Sequence, residues 1–194
     1  MCAVMRLVAR RSQCGQALAE FALVIPVFLL VLFSIIQFGM LMGGQDGMAN
    51  AVREATRYAA TVPVANTSDA GSCSSGVGGQ VYSELNTALQ RKVPGYVATN
   101  LVVCNPLAPP TTPTTKVVYC VRANPTIGLP ATYSIWVQVT AVYRHPLYIP
   151  LVGNIVDGFD GVDDGRLRAT TSEQMRVETY ALSGSNVGGF TACT

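Results

Sequence analysis

The sequence predicts an α+β protein: a long N-terminal helix followed by a small antiparallel sheet domain. Three observations carry this. Phe21 to Met42 contains no charged residue. Asp46 to Thr61 then keeps helical period, with Met48, Ala51, Val52, Ala55 and Ala59 on one side and Asn50, Arg53, Glu54 and Arg57 on the other. Finally, Tyr133 to Tyr143 alternates, with Ile135, Val137, Val139 and Ala141 on one face and Ser134, Trp136, Gln138 and Thr140 on the other. Antiparallel strands with one face against a helix make an α+β domain.

The apolar run is long enough to cross a bilayer, which takes about 20 helical residues for a core of about 30 Å. Arg6, Arg10 and Arg11 lie only on its N-terminal flank, so the N-terminus belongs in the cytoplasm and the residues after Met42 outside. Pro26 removes a backbone hydrogen bond near the start of the span and is expected to kink or loosen the helix. Gly39 and Gly43 form a small-xxx-small pair that permits close helix approach. A removable signal peptide is the competing reading, with Ala49-Asn50-Ala51 as its cut site. Its apolar core is normally shorter, however, and it leaves Gly15 and Glu20 without a purpose.

Glu20 stands at the foot of this helix, five residues after Gly15. A carboxylate there is costly in hydrocarbon unless partnered, and snorkelling to the headgroups is the simple remedy. The alternative is a basic leader over residues 1–15, cut after Gly15. The new amine of Gln16 would then lie one helical turn from Glu20 of its own or a neighbouring subunit, with Phe21 opening the apolar run. This start resembles that of a type IV pilin-like subunit.

The charge balance fits such a cut. Residues 1–15 hold three arginines and no acid, so the rest carries ten basic and eleven acidic residues, a net charge of −1. The basic excess belongs to the leader and gives no support to nucleic-acid binding. At 49% hydrophobic and 12% charged, the composition leans toward the membrane. Cys2 and Cys14 fall in the leader, leaving Cys73, Cys104, Cys120 and Cys193 beyond the span. Four cysteines in an exported region read as a disulfide framework, and their spacing lacks the close pairs of a zinc site. Of the three possible connectivities, Cys104–Cys120 with Cys73–Cys193 is preferred, because Cys104 and Cys120 flank one loop. Free thiols would require the reverse topology.

Beyond the span, residues 45–62 form the amphipathic extension of the anchor at 16–44, residues 63–79 a Ser/Gly-rich linker, and residues 80–194 the extracytoplasmic domain. Gln80 to Lys92 reads as a helix with Val81, Leu85, Ala88 and Leu89 on one face, ended by Pro94-Gly95. Val97 to Cys104, Lys116 to Arg122 and Leu167 to Tyr180 read as strands, the last with Leu167, Ala169, Met175 and Val177 toward the core. Asp157 to Gly165 departs from the EF-hand pattern and reads as a solvated acidic turn. His145 is the single histidine. No metal cluster is therefore expected, and because no phosphate-binding glycine loop or catalytic acid pair appears either, the chain reads neither as an enzyme nor as a cofactor binder.

Gly15-Gln-Ala-Leu-Ala-Glu20-Phe21-Ala-Leu-Val-Ile-Pro26, Phe38-Gly39 and Ala49-Asn-Ala-Val-Arg53-Glu54-Ala-Thr-Arg57-Tyr58 together resemble the TadE-like pseudopilins of tight-adherence (Tad) pilus systems. Trp136 to Leu151 and Ser172 to Glu178 resemble the family's later strands more loosely. The Cys-containing middle, with its Pro/Thr loop, departs from the pattern. The resemblance implies a pilin-like fold, cleavage before Gln16 by a prepilin peptidase, and a role for Glu20 in processing or assembly. It implies a minor pilin or pseudopilin in the bacterial cytoplasmic membrane and, after assembly, in an extracellular pilus. The implied partners are other pilin subunits and the pilus assembly platform. A signal-anchored adhesin, or a pseudopilin of a secretion or DNA-uptake system, are the alternative readings.

Overall fold

The computed structural model describes residues 2–62, 73–105, 107, 113–124, 132–149, 164–183 and 191–192, with side chains along the first helix from Gln16 onward. Helix α1 runs over Cys2–Thr61 without a break. At 1.5 Å per residue it is about 90 Å long. Pro26 lies inside it, and the helix continues through the proline. Near its end, Thr61 Oγ1 donates to the Tyr58 carbonyl at 2.8 Å and the Tyr119 hydroxyl donates to the Ala59 carbonyl at 3.0 Å. Both carbonyls fall in the last turn, where helix acceptors lack intrahelical donors.

Helix α2 covers Gly76–Lys92 and begins four residues before the expected Gln80. Val81, Leu85, Ala88 and Leu89 are its buried face, as their spacing predicts. It ends before Gly95, whose φ of +66° suits a residue without a Cβ. Strands β1 (Lys116–Asn124), β2 (Thr132–Pro146) and β3 (Arg166–Ser183) follow, then the two-residue β4 (Thr191–Ala192). The sheet order is β3-β2-β1-β4, with β2 antiparallel to both neighbours and β4 parallel to β1. The α+β reading holds: one long apolar helix, a second helix and a small antiparallel sheet.

The expected strand over Val97–Cys104 is absent. A 3-10 turn at Ala98–Asn100 leads to single bridges, Leu101 to Tyr143 and Cys104 to Thr115. The reason is competition for an edge. β1 already pairs with β2 from Thr132 to Thr140, which leaves only the end of β2 for the Val102 N–H to reach the Val142 carbonyl.

Both helices cover one face of the sheet. Ile135, Val137, Val139, Ala141 and Tyr143 of β2 point into this core with Val117 and Tyr119 of β1, Ala169 and Val177 of β3, and Met48, Ala51, Val52, Ala55 and Ala59 of α1. On the opposite face the Arg122 guanidinium lies 4.8 Å from the centre of the Trp136 ring. Met175 departs from expectation. It shares the parity of Ala169 and Val177 but is 38% exposed, at the rim of a groove lined by Arg53, Arg57 and Glu173.

The disulfide expectation is corrected. Cys73 is bonded to Cys104, with a Cα–Cα distance of 5.9 Å that suits a bridge. Cys120 is also disulfide-bonded, so it is not the partner of Cys104, and Cys193 lies outside the described residues. Spacing in sequence misled here, because Cys104 faces back toward the start of α2 rather than across the Pro/Thr loop. Of the acidic turn, only Asp164 and Gly165 are described, and Asp164 pairs with Arg144 at 3.3 Å.

Candidate functional site

The foot of α1 brings two expected residues together. The Gln16 side-chain amide donates to the Glu20 carboxylate at 3.2 Å, one turn along the helix. Both are exposed, as are Leu18, Phe21, Leu23, Val24, Pro26, Val27 and Phe28 above them. Almost none of this apolar stretch is buried within the chain. A core helix of a soluble protein would be mostly buried, so this apolar surface needs a surrounding of its own, and a single-pass membrane anchor supplies one.

The domain takes hold of the helix at Gln37, well inside the run that reads as membrane span. From there the buried positions are Gln37, Leu41, Gly44, Gly47 and Met48, then Ala51, Val52 and Ala55. Their steps of three and four keep one face turned to the domain. Gln37 is 1% exposed, and its Oε1 accepts the Tyr148 N–H at 3.2 Å. A Cβ on Gly44 would press into the His145 ring, 2.9 Å from Nδ1 and closer still to Cε1. A Cβ on Gly47 would meet the carbonyl of Lys92 at the end of α2. These two glycines let sheet and second helix lie directly against α1.

Sequence reasoning singled out the other pair, Gly39 and Gly43. Neither has an atom within 4 Å of an added Cβ, and both are exposed on the uncovered side of the helix. Phe38 and Met42 are exposed beside them. The small-residue notch is therefore free within one chain. Gln37, Gly44, Gly47 and Tyr148 are the junction residues that reading of the sequence missed. The polar Gln37 within an apolar run was the available signal.

His145 completes the junction. It is buried, with its ring edge-on to Tyr143 at 4.8 Å, and Tyr143 in turn stacks on Tyr96 at 5.2 Å. Burial holds the imidazole below its ordinary value of 6.5. Tyr96 donates to Asn86 Oδ1 at 2.5 Å, and its pKa is pushed up to about 12, mainly by burial and then by neighbouring tyrosines. Higher on the helix, Glu54 accepts from Arg91 at 2.9 Å and pairs with Lys92, while Arg53 reaches Glu173 at 2.9 Å. The hydrogen bond from Lys92 is the main reason that the Glu54 carboxyl sits below its ordinary value. Exposed pairs of this kind contribute about 0–1 kcal/mol each. They join α1 to α2 and to β3. Among the described residues no group of three His, Cys, Asp or Glu side chains could hold a metal ion.

Residues 15–57 match the family model for TadE-like protein. The N-terminal segment is TadE-like. The matched stretch begins at Gly15, contains Glu20 and the whole bare apolar surface, and ends among the residues of α1 that pack under the domain. It supports a protein associated with Tad pilus systems. No curated protein and no solved structure matches the chain.

Proposed function

We propose that this chain is a minor pilin or pseudopilin, a structural subunit that helps to initiate, assemble or adorn a Tad-type pilus. The observation that carries this is the coincidence of two ranges. The TadE-like match over 15–57 spans both the bare anchor helix and the face that grips the domain. In this reading a prepilin peptidase cuts after Gly15, and the amine of Gln16 then joins the carboxylate that its side chain already contacts. The Gly39/Gly43 notch is where the helix of another pilin subunit approaches. The domain, bulky beside a single helix, acts as a structural or adhesive head with no catalytic role.

Intact mass and N-terminal sequencing of the membrane-extracted protein test the cut. In cells with active peptidase the chain is expected to begin at Gln16, and retention of Met1 to Gly15 would count against the proposal. Glu20→Ala is expected to insert into the membrane but to enter pili at well below the native yield. Undiminished incorporation of that variant would remove the assembly role of the carboxylate. Replacement of Gly15 by a bulky residue separates this reading from a simple adhesin. It should block processing and assembly here, whereas an adhesin would still be displayed.

A further inference from the structure

We propose that the underside of the domain, around Tyr148, rests in the lipid headgroup layer, and that the spanning segment ends at Ile36 rather than Met42. This rests on the membrane-anchor reading of α1 but not on the pilus role. Helix length, taken with the domain, is the first argument. Length alone allows two placements of the span, since Gln16 to Ile36 rises about 30 Å and Phe21 to Met42 about 32 Å, each close to the hydrocarbon thickness of a typical bilayer. The domain decides between them, because a span ending at Met42 would set Gln37, and the Tyr148 backbone bonded to it, about 8 Å inside the hydrocarbon.

The second argument is where the domain touches the helix. The next residue, Gln37, is buried and accepts the Tyr148 N–H at 3.2 Å, which fixes Tyr148 at the level where the span would end. The Tyr148 hydroxyl donates to the Gly95 carbonyl at 3.3 Å, while the residue as a whole stays 51% exposed. A tyrosine with its polar tip satisfied and its ring uncovered is suited to a membrane–water interface. Phe38 and Met42 are 55% and 52% exposed on the free side of the helix, extending the same apolar band upward by about one turn.

Lipid is favoured over a second copy of the chain because, along the described residues of α1, the exposed apolar surface runs from Phe21 to Met42 without a charged residue. Phe21 to Ile36 carries one polar residue, Ser34, whose hydroxyl donates back to the Leu30 carbonyl at 2.7 Å. The domain would then sit flush on the membrane, held at a fixed height by Gln37. That leaves the opposite end of the sheet, with Trp136, pointing away.

The single native tryptophan supplies the control. Trp136 lies ten residues along β2 from Pro146, roughly 33 Å from the lower end of that strand. The full-length chain would be reconstituted in phosphatidylcholine/phosphatidylglycerol vesicles whose acyl chains are brominated near the headgroup or near the bilayer centre. The Trp136→Phe chain carrying Tyr148→Trp is expected to lose at least half its fluorescence to the shallow bromines, and less to the deep ones. The native chain, reporting from Trp136, should change little with either. Phe38→Trp, in the same Trp136→Phe background, leaves the Tyr148 contacts intact. It gives a second reading if the first variant is damaged, with shallow quenching again stronger than deep. Equal quenching of the native and Tyr148→Trp chains overturns the proposal. So does deep quenching at position 38, or a tryptophan at 148 shielded from both bromines by protein. A chain that keeps its leader or fails to enter pili would still give the expected quenching, so the two readings fail separately.

Discussion

Four glycines fall within nine residues of α1, and the structure divides them into two pairs with opposite fates on substitution. Gly→Ala in a helix interior gains about 1 kcal/mol of intrinsic propensity wherever nothing else changes. At Gly39 and Gly43 the new methyl meets open space, so that gain should be realised. At Gly47 the methyl drives into the Lys92 carbonyl, with the carbonyl carbon at 2.8 Å and Val93 Cα at 3.3 Å. Backbone at the end of a packed helix cannot rotate aside as a side chain can, and such overpacking costs about 1–3 kcal/mol. Because the propensity gain is shared, comparing Gly47→Ala with Gly43→Ala isolates the clash. With about 2–4 °C per kcal/mol for a domain of this size, Gly47→Ala should melt about 2–12 °C below Gly43→Ala. Gly44→Ala should fall between them, since the His145 ring it strikes can tilt against Tyr143. The assay is Trp136 fluorescence during heating in detergent, with the disulfides intact. If Gly47→Ala melts at or above Gly43→Ala, then the end of α2 does not dock on α1 at Gly47.

Two further outcomes follow from the domain. Burial lowers the pKa of His145 below its ordinary 6.5, so the folded chain resists a proton that the unfolded chain accepts. Stability is therefore fully present above about pH 6.5 and falls as pH drops below it. The urea midpoint should decline from pH 7 to 5.5 in the native chain and stay flat in His145→Phe, and a flat native curve would refute the burial. Non-reducing peptide mapping should join Cys73 to Cys104, and recovery of a Cys104–Cys120 peptide would refute that pairing. Losing this bridge through Cys73→Ser/Cys104→Ser should cost about 3–4 kcal/mol on the chain-entropy model for a separation of 31 residues.

Much of this architecture was legible because its signals are local. The period of Met48, Ala51, Val52, Ala55 and Ala59 names a buried face without tertiary information, and all five are fully buried. The alternation of Ile135, Val137, Val139 and Ala141 did the same for the sheet. What stayed hidden depends on contacts distant in sequence. Residues 97–104 have strand-like composition, yet the partner edge was already taken by β1. The mate of Cys104 is set by how α2 folds back onto the helix, which spacing along the chain does not encode. At the anchor, Gln16, Glu20 and the Gly39/Gly43 notch were legible as residue types. The grip of the domain on Gln37, Gly44 and Gly47 was not, because an apolar run looks the same whether it faces lipid or protein.

That ambiguity bears on what a TadE-like N-terminus encodes. The matched residues 15–57 do not stop where the bare helix stops, but run on through most of the face that α2 and the sheet cover. Two surfaces are thus written on one helix. Below Gln37 the apolar residues point all round, as a lipid-facing segment requires. Above it they narrow to a stripe of small side chains at Gly44, Gly47, Ala51 and Ala55, which lets the domain approach closely. Gln37 marks the change, since its amide is the first polar group of the helix to be used by the domain. Moving that residue by one turn would shift the grip by about 6 Å along the axis and rotate it by about 40° away from the glycine contacts. Anchor depth and domain docking are therefore not independent choices in this chain, because one short stretch of α1 sets both.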